Sequence, residues 1–214
     1  MSTINHHIPK SIIAAYAAGN LSRPFSLVVA AHISLCDTCR AELSAHEAVG
    51  GALLDQTNAA PINDTVKRNI LAALDNDMET AVTFSPIKRS GVFPGPIVEA
   101  LKQRPPKWRS VGRGVKQCII ESSEVGSVRL LHIPAGQAVP DHSHNGLELT
   151  LVLQGSFSDS EGRFGVGDVE VGDEALDHTP IANDGPPCIC LSATDAPLRF
   201  NSFIPRLLQP LFRI

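Results

Sequence analysis

The stretch HISLCDTC, residues 32–39, predicts how the N-terminal part of the chain folds. Its His32, Cys36 and Cys39 fall at positions i, i+4 and i+7. On a helix, or on a helix with a tight break, these three side chains share one face. One imidazole and two thiolates supply three of the four ligands of a tetrahedral zinc site. The stretch therefore predicts a metal site close to the start of a helix.

The fourth ligand has to come from elsewhere in the chain, and His7 is the nearest suitable residue, with His6 as a weaker substitute. A closed set of two histidines and two cysteines is typical of structural zinc. The alternative is that Cys36 and Cys39 are core thiols, because lone cysteines are commonly buried. We favour zinc because three soft ligands at helical spacing are seldom accidental.

Short helices are predicted on both sides of this stretch. Asp37 is a candidate cap for the helix that follows the first cysteine, and the helix dipole would favour thiolates there. A zinc ion that joins three short helices would supply folding free energy that their small core lacks. The four predicted helices cover Ser11–Ala18, Arg23–His32, Asp37 to about Leu54, and Val66 to about Val82.

The fourth helix has an apolar stripe at helical spacing, formed by Ile70, Leu71, Leu74 and Met78. Packing into a core is the preferred explanation for such a stripe. A second possibility is that the stripe packs on a partner, because the helix stands between a loop and a Pro/Gly-rich stretch.

Charge is distributed unevenly along the chain. Residues 84–116 carry a net charge of +7 between blocks of −3 (residues 1–83) and −8 (residues 117–214). The basic segment is either a solvated linker or a connector that docks on the acidic C-terminal block. We predict a helical domain at 1–83, a Pro/Gly-containing basic linker at 84–104 and a second domain at 105–214.

After Trp108 the pattern changes to strands. In residues 147–154 four leucines alternate with Glu, Thr, Val and Gln, and in residues 128–133 Val128, Leu130 and His132 alternate with Arg129, Leu131 and Ile133. Turn residues recur between such segments. Short strands at this spacing predict an all-β sandwich or barrel. The fold class is therefore multidomain α + β, with a zinc-stapled helical part followed by an all-β part.

A second metal site is predicted in the β part. His142, His144 and Glu148 have the same parity, so on an extended strand they point to one face, and His178 can approach from a later strand. Three imidazoles and a carboxylate suit zinc, iron, manganese or nickel. The alternative is a polar pocket that holds no metal.

The remaining cysteines do not form a disulfide framework, because the total of five is odd. Cys188 and Cys190 share a strand face and could oxidise, bind metal or pack, and we favour packing. The first residues lack a signal peptide, and no apolar run is long enough to span a membrane. We expect a cytoplasmic protein in a reducing compartment.

Two motifs resemble known families. Residues 136–155 resemble the first cupin motif at every fixed position, and Gly167, Asp168 and His178 match part of the second. The spacing of His32, Cys36 and Cys39 resembles the signature of zinc-binding anti-sigma domains, with His7 at the upstream position. In this order, the two motifs resemble the ChrR family of anti-sigma factors over nearly the whole chain.

The resemblance implies a cupin barrel (a double-stranded β-helix or jelly roll) after the helical domain. It also implies that the protein is not an enzyme. It implies a one-to-one complex with an extracytoplasmic-function sigma factor, which is released in response to singlet oxygen. One structural Zn²⁺ would be held by His7, His32, Cys36 and Cys39, and a second Zn²⁺ or another divalent ion by His142, His144, Glu148 and His178.

Two other functions compete with this one. A metal-dependent cupin enzyme, of dioxygenase or isomerase type, could use the same four barrel ligands. A nucleic-acid-binding zinc module is disfavoured, because residues 1–56 contain three basic and four acidic side chains and phosphate binding requires clustered positive charge. No direct contact with nucleic acid and no membrane association are expected.

Overall fold

The computed structural model describes residues 3–76, 87–143, 145–196 and 199–200. Five helices precede a β domain within these residues. The helices are α1 (Lys10–Ala17), α2 (Arg23–Ile33), α3 (Asp37–Asp55), α4 (Asp64–Asn76) and α5 (Gly95–Ala100). The strands are β1 (Arg109–Gly112), β2 (Val115–Ser123), β3 (Gly126–Ile133), β4 (His142–Ser143), β5 (Glu148–Gln154), β6 (Phe157–Ser158), β7 (Arg163–Phe164), β8 (Val169–Gly172), β9 (Asp177–His178), β10 (Ile181–Ala182), β11 (Cys188–Thr194) and β12 (Arg199–Phe200).

The strands form one large and two small antiparallel sheets. The large sheet has the order β1-β2-β3-β11-β5-β8, and the small sheets have the orders β10-β6-β7 and β12-β4-β9. Strand β11 lies between β3 and β5, with Leu191 opposite Leu130 on one side and Leu151 on the other. This arrangement confirms the predicted helical part followed by a cupin-like β domain.

Helix α2 packs on the outer face of the large sheet. Its Val28, Val29 and Ala31 are fully buried, in one apolar cluster with Leu149 and Leu191 of the sheet. Alternate residues of β3, β5 and β11 face this helix because side chains along a strand alternate between the two faces. The helical part and the β domain therefore share a continuous core.

The opposite face of the large sheet points into the barrel. Val152 and Cys190 form a second apolar cluster there, together with Phe157 and Phe164 of the facing sheet. The rings of these two phenylalanines are stacked with centroids 5.0 Å apart. Because β5 and β11 are covered on both faces, their residues are almost all buried.

The start of α3 differs in one detail from the sequence-based expectation. Cys36, and not Asp37, is the N-cap, and its Sγ accepts a hydrogen bond from the backbone N–H of Cys39 at 3.5 Å. Asp37 is the first helical residue. The thiol therefore occupies the position in which an acceptor satisfies a free N–H group of the first turn.

The expectation that the α4 stripe packs into a core is wrong for the residues that the structure describes. Ile70 is 53% exposed, Leu74 is 65% exposed, and Leu71 is also exposed. Met78 and the predicted end of this helix at Val82 lie outside the described residues. An amphipathic helix with its apolar side in water favours the second possibility, a partner.

Two further features bear on the predicted organisation. Helix α5 packs on α2 and buries Ile97, so the chain is in contact with the helical part just before the first strand. The division at residues 83–104 stays a prediction. None of the described helices is both long enough and apolar enough to cross a bilayer.

Replacing Leu191 by alanine tests the shared core. This side chain is fully buried between α2 and the sheet, so its truncation should lower the free energy of unfolding by about 2–5 kcal/mol. Denaturant unfolding followed by Trp108 fluorescence measures the change. Leu54, which is 70% exposed, provides the matched control, and Leu54→Ala should stay within about 0.5 kcal/mol of the original chain. Equal effects of the two substitutions would contradict the packing described.

Candidate metal centres

The structure brings His7, His32, Cys36 and Cys39 together, with one ligand atom from each residue lying within 4.8 Å of the others. Nδ1 of His7 lies 3.3 Å from Sγ of Cys36 and 3.7 Å from Sγ of Cys39. Tetrahedral zinc with ordinary Zn–N and Zn–S bonds places such atoms about 3.5 Å apart. The donor set and its spacing therefore fit a zinc ion.

His32 is oriented by the β domain. Its Nδ1 lies 2.9 Å from the carbonyl oxygen of Gly167, so Nδ1 carries the proton and donates it to that oxygen. This leaves Nε2 as a lone-pair donor, buried and without a hydrogen-bond partner among the described residues. Burial lowers the pKa of His32 to about 4. The ring is therefore neutral at pH 7, which is the form that binds metals.

The two N-terminal histidines point in different directions. His7 faces the two cysteines. The His6 ring lies against Phe164, with centroids 4.4 Å apart, and its Nδ1 is 3.5 Å from a carboxylate oxygen of Asp168. The geometry therefore favours His7 as the partner of the cysteines.

The electrostatic environment of Cys39 differs from what its position near a helix N-terminus suggests. Burial raises the pKa of its thiol to about 11, and the neighbouring Cys36 adds to the rise. Without a cation the desolvation cost outweighs the helix dipole. A bound metal ion would reverse this balance, since a coordinating thiol is deprotonated.

The β domain brings His142 and His178 together. They are directly paired on strands β4 and β9, and their Nε2 atoms lie 3.2 Å apart. Nδ1 of His142 donates to the carbonyl oxygen of Pro140 at 2.8 Å. Both Nε2 atoms therefore face a common point, at a separation close to the roughly 3.3 Å expected for two imidazoles on one zinc ion.

Of the other two expected barrel ligands, Glu148 and His144, the structure describes only Glu148. Glu148 begins β5, and its Oε1 accepts hydrogen bonds from Thr150 at 2.7 Å and Ser192 at 2.9 Å. These side chains lie on the inward face of the large sheet. His144 lies outside the described residues. The four-ligand barrel site therefore stays a prediction. The structure supports it by pairing two of the four ligands, His142 and His178.

Sequence reasoning missed two carboxylates beside His178. Oδ2 of Asp159 lies 2.6 Å from Nδ1 of His178, and Oε1 of Glu170 lies 3.4 Å from the same atom. The three residues form a second cluster of possible metal-binding groups among the described residues. Parity along β8 could have indicated that Glu170 points inward, but only the tertiary fold brings the loop residue Asp159 to this position.

Asp159 accepts the Nδ1 proton of His178 at 2.6 Å. Burial raises the pKa of Glu170 to about 8, so it is protonated at pH 7. Burial also opposes ionisation of Asp159, but hydrogen bonds from Glu170 and His178 outweigh it and lower the pKa of Asp159. Burial by itself lowers the pKa of His178, but the two carboxyl groups raise it to about 9. A carboxylate that fixes the far nitrogen of a ligating histidine is a common support of metal sites.

Cys188 and Cys190 are fully buried in the apolar cluster inside the barrel, as expected for packing. Their Sγ atoms lie 3.4 Å apart, and the thiols are free. The hydrogen bond with Cys188, together with burial, raises the pKa of Cys190. Cys190 is therefore in the protonated thiol form.

Comparisons with a family profile, with a known sequence and with a solved structure all lead to the same family. The family profile of the ChrR cupin-like domain matches residues 99–196. The chain is 50% identical over 215 residues to the anti-sigma-E factor ChrR of Cereibacter sphaeroides, with 99% of this chain and all of that protein covered. A crystal structure of Rhodobacter sphaeroides SigE in complex with the anti-sigma ChrR is similar at a TM-score of 0.77. That match has 45% identity and covers 90% of this chain and 100% of the other.

Replacing Cys36 by alanine tests the helical cluster. Cobalt(II) bound to thiolates gives a charge-transfer absorption in the near ultraviolet, and the expected barrel ligands include no cysteine. We expect Cys36→Ala to lose about half of this absorption and at least about tenfold in cobalt affinity, because one of four ligands is removed.

The control is Cys118→Ala, which truncates a buried cysteine of β2 outside the cluster and should retain the absorption. If Cys36→Ala and the original chain gave the same spectrum and affinity, the four residues would not form the metal site.

Proposed function

The chain belongs to the ChrR family of anti-sigma factors, and we propose that it binds an extracytoplasmic-function sigma factor one to one. In this proposal the helices of residues 1–83 cover surfaces through which the sigma factor contacts RNA polymerase. Metal binding at the barrel controls its release. The protein is a regulator and not an enzyme, which sets aside the dioxygenase or isomerase hypothesis. We place it in the cytoplasm, where sigma factors act.

The observation that carries this proposal is the exposed apolar surface of the second half of α3 and of α4. Leu54 on α3 and Ile70 and Leu74 on α4 are each more than half exposed. Large exposed apolar groups concentrated on two consecutive helices are typical of protein-binding sites. We name the α3–α4 surface by its exposed members: Val49, Leu53, Leu54, Ile62, Val66, Ile70, Leu71 and Leu74.

We propose that zinc occupies the cluster of His7, His32, Cys36 and Cys39. Its ligands come from the segment before α1, from α2 and from the start of α3. A closed tetrahedral ion in this position would fix the angles between these elements, and its binding free energy would contribute to folding. Fixing the start of α3 also fixes the direction in which the exposed second half of α3, with Leu53 and Leu54, is presented.

We propose a second ion, zinc or another divalent metal, at His142, His144, Glu148 and His178. The facing Nε2 atoms of His142 and His178 support this proposal, as does the carboxyl pair behind His178. Asp159 would hold the ring of His178 with Nε2 directed at the ion, and Pro140 would do the same for His142.

Release of the sigma factor would follow from a change at the barrel site under singlet oxygen. A signal shifts a conformational equilibrium only when it interacts differently with the two states. Imidazole ligands are chemically sensitive to oxidants. The barrel shares a core with α2, so a change in the barrel can alter the helical part that binds the sigma factor.

Replacing Leu74 by glutamate tests the binding surface. A charge placed on this apolar surface should weaken binding of the cognate sigma factor at least about 30-fold, as expected for a hot spot. Isothermal calorimetry with the co-purified sigma factor measures the affinity. Because Leu74 makes little contact within its own chain, thermal unfolding of the free protein should not change.

The matched control is Val125→Glu, which introduces the same charge at a side chain that is 60% exposed, in the turn between β2 and β3. This variant should bind the sigma factor normally. If Leu74→Glu bound as tightly as Val125→Glu, the α3–α4 surface would not be the binding site.

Replacing both His142 and His144 by alanine tests the barrel as the sensor. The variant should lose the barrel metal, keep the sigma factor bound, and release it at least about tenfold more slowly than the original chain when singlet oxygen is generated. Metal counting and the rate of release of sigma factor from the purified complex are the two measurements.

His132→Ala serves as the control, because His132 packs edge-on against Trp108, outside both metal clusters. It should respond to singlet oxygen normally. Normal release from the double variant would show that the barrel metal is not the trigger.

A further inference from the structure

The turn that joins β7 to β8, residues 165–168, touches the helical part at the place where its metal ligands lie. We call it the barrel turn. We propose that the barrel turn is the outer support of the helical metal site, so that the β domain sets how tightly His7, His32, Cys36 and Cys39 hold their ion. The inference rests on the proposed zinc site and adds residues of the β domain to it.

The first contact acts on a ligand directly. The Gly167 carbonyl accepts the Nδ1 proton of His32 at 2.9 Å, across 135 residues of sequence. Both groups are buried, and the hydrogen bond determines which nitrogen of His32 faces the cysteines. A carbonyl behind a ligating imidazole fixes both the tautomer and the ring orientation. The carbonyl that does this belongs to the β domain and not to the helices.

The second contact holds the segment that carries His7. Oδ1 of Asp168 accepts the backbone N–H groups of Asn5 at 2.7 Å and His6 at 2.9 Å. The N–H of Val169 donates to the carbonyl oxygen of His6 at 3.1 Å. Residues 3–8 precede Pro9, the N-cap of the first helix, so no helical hydrogen bonds fix them. The position of His7 next to the cysteines depends on this attachment.

The carboxylate of Asp168 is well suited to this role. It is buried, and Oδ2 also accepts the N–H of Gly165 at 2.7 Å within the turn. Burial alone would raise the pKa of Asp168, but the N–H donors of His6, Gly165 and Asn5 outweigh it and lower the pKa. The side chain is therefore ionised at pH 7, and its hydrogen bonds are charge-assisted.

The turn itself is rigidly placed. Gly167 N–H donates to the Val152 carbonyl at 2.9 Å, and Val152 N–H donates to the Asp168 carbonyl at 3.0 Å. Gly167 has a φ of +94°, and a Cβ there would lie 2.6 Å from the side chain of Ile4. The positive φ therefore favours glycine at this position, and a Cβ there would also displace the side chain of Ile4.

The test uses the full-length chain and cobalt(II), in competition with a chelator, followed by the thiolate charge-transfer absorption. Asp168→Asn keeps the volume of the side chain and removes the charge that attracts the two N–H groups. We expect the cobalt affinity of the thiolate site to fall about 10- to 100-fold, as for the loss of other supports behind metal ligands. Asp184→Asn makes the same charge change in an exposed loop and should leave the affinity unchanged.

A second variant leaves the β domain untouched, in case Asp168→Asn fails to fold. A synthetic segment of residues 1–35 is ligated at Cys36, with an ester in place of the peptide bond between Ile4 and Asn5. The ester removes the N–H that Asp168 accepts and changes no side chain. We expect a fall in cobalt affinity of about three- to tenfold, compared with the same ligated chain containing an ordinary peptide bond.

The outcomes separate this inference from the proposed zinc site. If the original chain shows no thiolate charge-transfer absorption, the zinc site itself is wrong. If the absorption is present but a folded Asp168→Asn variant, or the ester variant, keeps its cobalt affinity within twofold of its control, the barrel turn is not a support. A loss in both variants, with both controls unchanged, establishes the role of the barrel turn.

Discussion

The burial of helix α2 against the large sheet is the interaction on which the rest of this structure depends. Val28, Val29 and Ala31 are withdrawn from water by residues of β3, β5 and β11. The same helix carries His32 at its C-terminal end, which places a candidate metal ligand directly over the β domain. The burial of apolar side chains therefore also positions His32. Without this packing, its hydrogen bond to the Gly167 carbonyl could not form.

The two clusters of possible metal ligands differ in their ligand types and in their surroundings. The helical cluster contains two thiols and lies where three chain segments meet, which suits an ion that stabilises the fold. The barrel cluster contains imidazoles backed by carboxyl groups, in a site lined by hydroxyl and carboxylate groups, which suits an ion whose environment can change. Asp168, beside the first cluster, directly precedes strand β8, which reaches the second cluster at Glu170.

The exposed apolar side of α4 lowers the stability of this helix in the free chain, which is consistent with a regulatory protein that binds a partner. An isolated chain with Ile70 and Leu74 in water gains little stability from this helix, because most helical stability in proteins comes from packing of the apolar face. A partner that covers this face supplies the missing packing. A sigma factor bound there would therefore stabilise the end of the helical part that the free chain leaves uncovered.

Local spacing was sufficient to identify much of this protein. The positions of His32, Cys36 and Cys39 predicted a helical metal cluster. Parity predicted that His142, His144 and Glu148 share one face of a strand, whereas the structure places His142 on β4 and Glu148 on β5. Both predictions depend on periodicities of 3.6 and 2 residues, which a sequence displays directly. Sequence alone could not determine that α4 is uncovered, because an apolar stripe has the same pattern whether it meets a core or water. Nor could it show that Asp159 and Glu170 stand behind His178, because only the tertiary fold brings these three residues together. It could not show that Asp168 holds the segment before His7 either, because residues 162 and 163 positions apart meet only when the sheet and the helices pack together.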